Sequence, residues 1–306
     1  MRHLVSGCVG RFAPTPSGRM HLGNVFAAMV AWASAKSKGG EFVLRMEDLD
    51  TLRTREEYAS AIREDLRWLG LTWDRETEPQ SRRSAVYDRY WELLREQGLL
   101  YPCYCTRSAL HSVNAPHRDD GTYIYPGTCR SLTDAERAAM TRPPAWRVRV
   151  PDREFSLDDW NYGHYRQNLA HECGDFVVRR ADGVSVYQLA VVVDDAEAGV
   201  TEVVRGVDLL GSAPWQMYLQ ELFGFPHPHY GHVPLLTAPD GRRLSKRDAS
   251  LDLATLRRHY TAEQLLGRMC YLSGLTDCPG AISAAELAVE FSWKKLKSED
   301  ICLKIF

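Results

Sequence analysis

Two prolines and a glycine fall within six residues near the start of the chain, between a short apolar run and a long helical pattern. The run occupies residues 8–12, the turn-forming segment residues 13–18, and the helical pattern residues 22–37. Proline and glycine at this density end a strand and prevent an immediate helix, so we predict a strand, a structured loop and a helix in that order. Such a junction directs the N–H groups of a helix N-terminus past a strand end, which suits an anion.

The same alternation of strand-like and helix-like segments continues along the chain. Residues 41–46 are predicted as a second strand, and residues 56–69 as a helix because Tyr58, Ile62 and Leu66 recur on one face. Strands that alternate with helices favour an α/β fold, here a Rossmann-like doubly wound parallel sheet. Ligands bind beyond the carboxyl ends of the strands in such sheets.

The second half of the sheet is expected further along the chain. The nearly continuous apolar run 184–193 predicts a buried parallel strand, and residues 201–205 predict another. A helix is predicted at 215–223, because Ser212 and Pro214 are favourable starting residues.

The segment between the two halves has a different composition. It carries three closely spaced cysteines, many turn residues and one short predicted strand at 145–150. We interpret it as an insertion into the sheet. The predicted organisation is residues 1–99 for the first half of the nucleotide-binding domain, 100–183 for the inserted subdomain, 184–253 for the second half with a basic loop, and 254–306 for a helical C-terminal segment.

Charge and hydropathy limit the classes of protein that remain. The chain is 44% hydrophobic and 25% charged with a formal net charge of −2, which is typical of a globular protein and not of one that coats nucleic acid through bulk positive charge. No run of about eighteen apolar residues is present, and the N-terminus lacks the apolar core of a signal peptide. We therefore expect a cytoplasmic monomer without a membrane partner.

The first motif with a chemical meaning runs from Arg11 to Gly18 and continues with His21, Gly23 and Asn24. The two glycines let a phosphate approach the backbone, and His21 is expected in the first turn of the helix, facing that phosphate. A histidine near a glycine is by itself common and then indicates only a turn with a surface side chain. The whole string is far more specific, so we favour a nucleotide site.

A second motif, in a glycine-containing loop, consists of Arg243, Leu244, Ser245, Lys246 and Arg247. Lysine in such a loop can neutralise the negative charge that develops on a transferring phosphoryl group. Most basic runs are solvated surface loops. The presence of the first motif earlier in the chain favours a function for this one.

Together the two motifs resemble the HIGH and KMSKS signatures of the class I aminoacyl-tRNA synthetases. The string that begins at Arg11, and the segment 45–50, are similar to the glutamyl branch in particular, and the resemblance covers roughly residues 9–253. The sequence departs from the signatures at Asn24, Arg243 and Leu244. The short remainder leaves no room for an anticodon-binding domain, which is similar to the glutamyl-queuosine tRNA(Asp) synthetases.

The resemblance also implies a set of site residues. Catalytic roles are implied for His21 and Lys246. The implied ATP-binding residues are Gly18, His21, Gly23, Asn24, Ser245 and Lys246. The implied glutamate-binding residues are Arg11, Phe12, Ala13, Pro14, Thr15, Glu47, Tyr187 and Arg205. Arginines suit the two carboxylates of glutamate, and a carboxylate suits its ammonium group. Taken singly, Tyr187 would be better interpreted as a core aromatic residue, and Arg205 could pair with Asp208; the other matches favour the site.

Cys103, Cys105 and Cys129 are spaced as three ligands of one structural zinc ion. From spacing alone, His111 or His117 is the natural fourth ligand. The family resemblance implies Tyr125 instead. Reduced thiols without a metal are the simpler alternative. We interpret the three histidines His227, His229 and His232 as a loop that enters a strand, and not as a metal site.

The function implied by the resemblance is the activation of L-glutamate by ATP, accompanied by Mg²⁺, followed by transfer of glutamate to the queuosine base of tRNA(Asp). Two other interpretations remain open from the sequence. One is a minimal enzyme that charges the 3′ end of a tRNA. The other is a non-catalytic RNA-binding paralogue.

Overall fold

The chain begins with a parallel sheet whose strands are connected by helices. A computed structural model describes residues 7–106, 124–238, 241 and 252–303. The first elements are β1 (Val9–Phe12), α1 (Leu22–Ser37), β2 (Glu41–Leu44), α2 (Glu56–Trp68), β3 (Arg75–Glu76) and α3 (Ser84–Glu96). The three strands pair in the order β1-β2-β3, all parallel. The strand, loop and helix predicted from the proline-rich segment are confirmed, as are the second strand and second helix.

Antiparallel strands follow the first parallel sheet. The elements of this region are β4 (Leu100–Cys103), α4 (Asp134–Ala138), β5 (Ala145–Val148), β6 (Glu154–Asp159), β7 (Gly163–Asn168), α5 (Leu169–Glu172) and β8 (Val177–Arg179). Strands β4, β5 and β8 form one antiparallel sheet, and β6 pairs with β7 as a hairpin. The strand predicted at 145–150 is confirmed as β5.

Parallel strands then return. The elements are α6 (Tyr187–Glu197), β9 (Glu202–Gly206), a 3₁₀ segment (Val207–Ser212), α7 (Ala213–Phe223) and β10 (His229–Val233). Strands β9 and β10 are parallel. Strand β9 lies beside β1, where the Thr201 N–H donates to the Val9 carbonyl at 2.9 Å. The predicted strand at 201–205 and the predicted helix at 215–223 are confirmed.

The strand predicted at 184–193 is wrong, because most of this run lies in helix α6. Residues 189–195 of this helix are all buried, so this part of it lacks the alternation of apolar and polar residues by which a helix is recognised in a sequence. An apolar run without periodicity fits a buried strand and a buried helix equally well. Helix α6 instead covers one face of the parallel sheet.

Alternate side chains of the parallel strands enter opposite layers of the fold. On one side, Phe12 and Val204 join the core that contains α1. On the other side, Val9 and Val203 join the core that contains α6 and α7. Helices therefore cover both faces of the sheet, which is the doubly wound arrangement.

The last part of the described chain returns to the sheet region. Strand β11 (Leu236–Thr237) is followed by α8 (Leu253–Leu256), α9 (Ala262–Ser273), α10 (Ala284–Glu290) and β12 (Ile301–Cys302). The helices predicted for residues 254–306 are confirmed, but the end of the described chain is a strand, β12, which pairs in parallel with β11. Among the described residues, no helix combines the length and the apolar character needed to cross a bilayer.

Candidate active site

A cavity of about 460 Å³ opens where β1 and β9 end and α1 begins. It therefore lies beyond the carboxyl ends of parallel strands, as expected for this class of sheet. Its walls include every site residue implied by the resemblance that the structure describes outside the cysteine cluster: Arg11, Phe12, Ala13, Pro14, Thr15, Gly18, His21, Gly23, Asn24, Glu47, Tyr187 and Arg205. Ser245 and Lys246 lie outside the described residues, so the structure leaves their position untested.

His21 caps the N-terminus of α1 with its own ring. The Gly23 N–H donates to His21 Nδ1 at 3.1 Å, and the His21 N–H donates to Asn24 Oδ1 at 3.4 Å. An imidazole whose Nδ1 accepts a hydrogen bond carries its proton on Nε2 when it is neutral. When the ring is neutral, Nε2 is therefore its donor nitrogen, and His21 lies at the positive end of a helix on the wall of the cavity.

Gly23 lies close to the ring that forms this cap. A Cβ at this position would approach the His21 ring to 3.0 Å from Cε1 and 3.1 Å from Nδ1. Contacts this short force the ring to move. The glycine of the first motif therefore makes room for the histidine of the same motif.

Arg11, Glu47, Tyr187 and Arg205 occupy the other wall. Arg11 alternates with Phe12 along β1 and so points towards α6, where its Nε donates to Asp195 Oδ2 at 3.5 Å. Arg205 Nη1 donates to Tyr187 Oη at 3.4 Å. This wall of the cavity therefore carries two guanidinium groups, a phenol and a carboxylate.

Buried acidic residues of α6, which the sequence analysis gave no role, hold the arginines in place. Arg45 is fully buried, and its Nη1 donates to Asp195 Oδ1 at 2.6 Å, while Nη2 donates to Glu47 Oε1 at 3.1 Å. Asp194 accepts from Arg83 Nε at 2.7 Å. Asp194 and Asp195 directly follow the apolar run 184–193, and their role becomes visible only once residues 187–197 are recognised as a helix.

The cluster shifts the titration of its carboxylates in opposite directions. Burial raises the pKa of Glu47, and the neighbouring Arg45 and Arg11 counteract it only in part. Burial also opposes the ionisation of Asp195, but its two arginine partners prevail and lower its pKa. Asp195 is therefore the fixed anion of the cluster, and Glu47 is the carboxylate that gains most from a further cation in the cavity.

The histidine-rich segment contributes one residue to the site region. His229 begins β10, in agreement with the prediction of a loop that enters a strand. His232 lies inside β10 with 0% exposure, between Asp159 of β6 and Arg205 of β9. The sequence analysis dismissed His232 together with its neighbours, because alternation along a strand is not visible in a histidine- and proline-rich run.

The three clustered cysteines come together away from the cavity. Their Sγ atoms all lie within 4.8 Å of one another, and Cys105 and Cys129 are 3.6 Å apart. Tyr125 Oη lies 3.6 Å from Cys103 Sγ. The alternative fourth ligands His111 and His117 lie outside the described residues.

Arg147 is the cation beside this cluster. Its Nε donates to Cys103 Sγ at 3.2 Å. Burial opposes the ionisation of Cys103, but Arg147 outweighs it and lowers the pKa of the thiol. Tetrahedral coordination at about 2.3 Å per thiolate separates sulfur atoms by about 3.8 Å, so the observed spacing fits a zinc ion.

Comparison with known proteins agrees with this geometry. The family model described as tRNA synthetases class I (E and Q), catalytic domain, matches residues 8–299. A protein of Symbiobacterium thermophilum named Glutamyl-Q tRNA(Asp) synthetase is 45% identical over 95% of this chain and 94% of its own length. A protein of the same name from Thiobacillus denitrificans is 44% identical over 94% of this chain and 92% of its own length.

Solved structures give the same result for the fold. A glutamate tRNA ligase from Elizabethkingia meningosepticum, solved in complex with its amino acid, superposes with a TM-score of 0.81 at 28% identity. The match covers 97% of this chain and 67% of that one. The fold is thus of the class I Rossmann type, and the match of the family model to nearly the whole chain decides the family. The chain belongs to the class I tRNA synthetases (E and Q), and it is an enzyme of the ligase class.

Proposed function

We propose that this enzyme activates L-glutamate with ATP and transfers the glutamyl group to the queuosine base in the anticodon of tRNA(Asp). The observation that carries the activation step is the cavity itself. It places Arg11, Arg205 and Glu47 within one space together with the N-terminus of α1 and its capping His21. Binding of a dicarboxylic amino acid next to a nucleoside triphosphate requires these groups in one cavity.

Glutamate binding follows from charge. Arg11 and Arg205 bind the carboxylates, Glu47 binds the ammonium group, and Phe12, Ala13, Pro14, Thr15 and Tyr187 complete the wall. The ammonium group opposes the effect of burial, which raises the pKa of Glu47, and so favours the ionised carboxylate. Glutamine is rejected because its neutral amide leaves a buried guanidinium group without a counter-charge.

Activation is an in-line attack of the glutamate α-carboxylate on the α-phosphorus of ATP. The new bond is carboxyl oxygen to phosphorus, the broken bond joins the α-phosphorus to its bridging oxygen, and pyrophosphate leaves. ATP enters with Mg²⁺ as part of the substrate. His21, the positive end of α1 next to Gly18, Gly23 and Asn24, and the side chains of Ser245 and Lys246 bind the phosphates and stabilise the developing charge.

Transfer follows when a hydroxyl of the acceptor attacks the acyl carbon and AMP leaves. The choice of queuosine as acceptor is supported by the names of relatives that are 44–45% identical over nearly the whole chain. The proposed organisation keeps the boundaries predicted from the sequence, so that the inserted region 100–183 receives the nucleic acid. The protein acts as a monomer.

A second candidate acceptor is the 3′-terminal adenosine of a tRNA. It is favoured by the superposition on glutamate tRNA ligases at TM-scores of 0.81 and 0.82. Both candidates use the same activation step, so only the acceptor distinguishes them.

The test has two stages. Glutamate-dependent exchange of pyrophosphate into ATP is expected for the wild-type enzyme, is absent with glutamine, and is strongly reduced in Lys246→Ala. Labelled glutamate is then offered to tRNA(Asp) with and without queuosine, each with its terminal adenosine either intact or removed. Transfer only to the queuosine-containing form supports the first candidate. Transfer that requires the terminal adenosine and ignores queuosine supports the second, and absence of exchange refutes both.

Zinc is proposed as a structural ion of the inserted region. Cys103, Cys105 and Cys129 hold it, with Tyr125 as the fourth ligand. The ion stabilises the fold of this region and takes no part in the reaction. We expect about one zinc per chain by elemental analysis of the purified wild type, a clear loss in Cys129→Ser, and no loss in the matched control Cys278→Ser, whose thiol is exposed and remote from the cluster. Equal zinc content in the two variants would exclude the assignment.

A further inference from the structure

A buried chain of polar groups links the inserted hairpin to the cavity. Asp159 at the end of β6 accepts from His232 Nδ1 at 2.6 Å, and His232 Nε2 accepts from Arg205 Nε at 3.1 Å. Asp159 and Arg205 are 4% and 6% exposed, and His232 is fully buried. The three residues belong to β6, β10 and β9, so the contact joins the antiparallel hairpin to the parallel sheet.

The two contacts fix the proton of His232. A guanidinium Nε can only donate, so His232 Nε2 must be the acceptor and the ring proton must reside on Nδ1, directed at Asp159. Burial lowers the pKa of His232, and Arg205 and Arg11 add to this effect, whereas Asp159 opposes it. Of the other groups that face the ring, Tyr230 stacks against it with an interplanar angle of 8° and carries no charge when protonated. The neutral Nδ1–H form is therefore the one that fits.

The guanidinium group of Arg205 donates hydrogen bonds from all three of its nitrogen atoms. Nη1 donates to Gln216 Oε1 at 2.8 Å and to Tyr187 Oη at 3.4 Å, and Nη2 donates to the Leu209 carbonyl at 3.1 Å. With the bond to His232, four of its five N–H groups have an acceptor among the described residues, and the group still faces the cavity. A planar guanidinium group held in this way can bind a carboxylate in only one orientation.

We propose that Asp159 and His232 are positioning residues that hold the Arg205 guanidinium in the orientation that binds a carboxylate of glutamate. The inserted hairpin thereby takes part in amino-acid recognition, although neither residue lines the cavity. The inference rests on the proposed function, in which Arg205 binds the substrate.

Asp159 accepts three backbone N–H groups in addition to the His232 ring. Its Oδ1 accepts from the N–H groups of Asn161 and Tyr162 at 3.0 Å each, and from the N–H of His232 at 3.2 Å. Its second oxygen is the one that orients the ring. The two oxygens thus have separable roles, and substitutions can address the second one alone.

Three variants separate positioning from simple packing. In His232→Gln the amide oxygen takes the place of Nε2 and still accepts from Arg205. In His232→Asn the amide takes the place of Nδ1, so Arg205 Nε loses its acceptor. In Asp159→Asn the Oδ1 contacts remain, but the amide donates to Nδ1, moves the ring proton to Nε2 and sets it against the Arg205 Nε–H.

The measurement is the KM for glutamate and for ATP in pyrophosphate exchange, with glutamate affinity by calorimetry as a second readout. A hydrogen bond to a charged group corresponds to a change of about tenfold or more. We expect an increase of this size in the glutamate KM of His232→Asn and Asp159→Asn, an unchanged KM for ATP, and a glutamate KM within about threefold of wild type in His232→Gln.

The results discriminate among the possible failures. The inference is overturned if His232→Asn and Asp159→Asn keep the wild-type KM for glutamate, or if His232→Gln is impaired as much as His232→Asn. It is also overturned if both substrates lose affinity equally, since that indicates general loss of structure. A wild-type enzyme that shows no glutamate-dependent exchange refutes the proposed function itself.

Discussion

At the scale of single residues, the site depends on charges that are almost completely removed from water. Arg45 has 0% exposure and forms ion pairs with three carboxylates, while Asp195 accepts from both Arg45 and Arg11. Removing one partner from such a cluster leaves the others buried without compensation, which costs more than the pair contributed. The arrangement fixes the orientation of Arg11 in the cavity. The free energy needed to bury these charges must come from the folding of the rest of the chain.

Arg45→Met therefore lowers the free energy of unfolding by about 3–5 kcal/mol, because Asp195 and Glu47 lose their main cation within the protein. Urea denaturation followed by circular dichroism measures the change. The matched control is Arg95→Met, which breaks an exposed pair with Glu92 and is expected to cost no more than about 1 kcal/mol. Equal midpoints for the two variants would contradict the role given to Arg45.

The sequence predicted the residues of the cavity better than the residues behind them. Arg11, Glu47, Tyr187 and Arg205 lie in motifs whose resemblance to a family could be recognised, and the structure places them around one cavity. Asp195 and His232 carry no local signal, because their partners are 184 and 27 residues away along the chain. Contacts of this kind depend on which strands are neighbours in the sheet. The order of the strands in a sheet cannot be read from a single sequence.

At the scale of elements, helix α1 shows how a motif serves structure and chemistry at once. Its N-cap is His21, where serine, threonine, aspartate or asparagine is usual. The ring accepts a helix N–H through Nδ1, and the residue lines the cavity. The two functions of one side chain can be separated because asparagine is an effective cap with a shorter reach.

His21→Asn is expected to keep the stability of the wild type and to lose most of the ATP-dependent exchange, since the cap survives and the phosphate contact does not. His21→Ala is expected to lose the exchange and also about 1 kcal/mol of stability. Thermal unfolding and exchange rates measured on both variants test this. Wild-type exchange in His21→Asn would show that the ring acts only as a cap.

The elements themselves were predictable wherever their period was visible. Helices α1 and α2 have one exposed face or clear boundary residues, and their predicted limits agree closely with the structure. Helix α6 is buried on all sides along residues 189–195, and its sequence was taken for a strand. The sequence pattern led to this wrong prediction, because burial on every side removes the periodicity that distinguishes a helix from a strand.

At the scale of the whole molecule, the C-terminal segment is joined to the wall of the nucleotide cavity. Ile301 N–H donates to the Leu235 carbonyl at 2.9 Å, and Leu235 N–H donates to Asp300 Oδ1 at 3.0 Å. Leu235 and Leu236 line the cavity. The strand pairing of residues 301–302 was not predicted, because the partner strand is only two residues long and lies far away in the chain.

Ile301→Ala is expected to lower stability by about 2–5 kcal/mol, since the side chain is 6% exposed within the main core. We also expect a higher KM for ATP, because the wall formed by Leu235 and Leu236 loses its support. Urea denaturation and exchange kinetics provide the two values. The control Val289→Ala alters a side chain that is 87% exposed and should change stability by less than about 0.5 kcal/mol. Identical behaviour of the two variants would remove the tail from this account.

The pairing of β11 with β12 has a further consequence during translation. The residues that meet at Leu235 and Asp300 are separated by 65 positions in the chain. At about 5–20 residues per second, the ribosome delivers the second partner roughly 3 to 13 s after the first. Until then the strand that forms one side of the cavity has an open edge, so a nascent chain completes this wall of the cavity only after residues 300–302 have emerged.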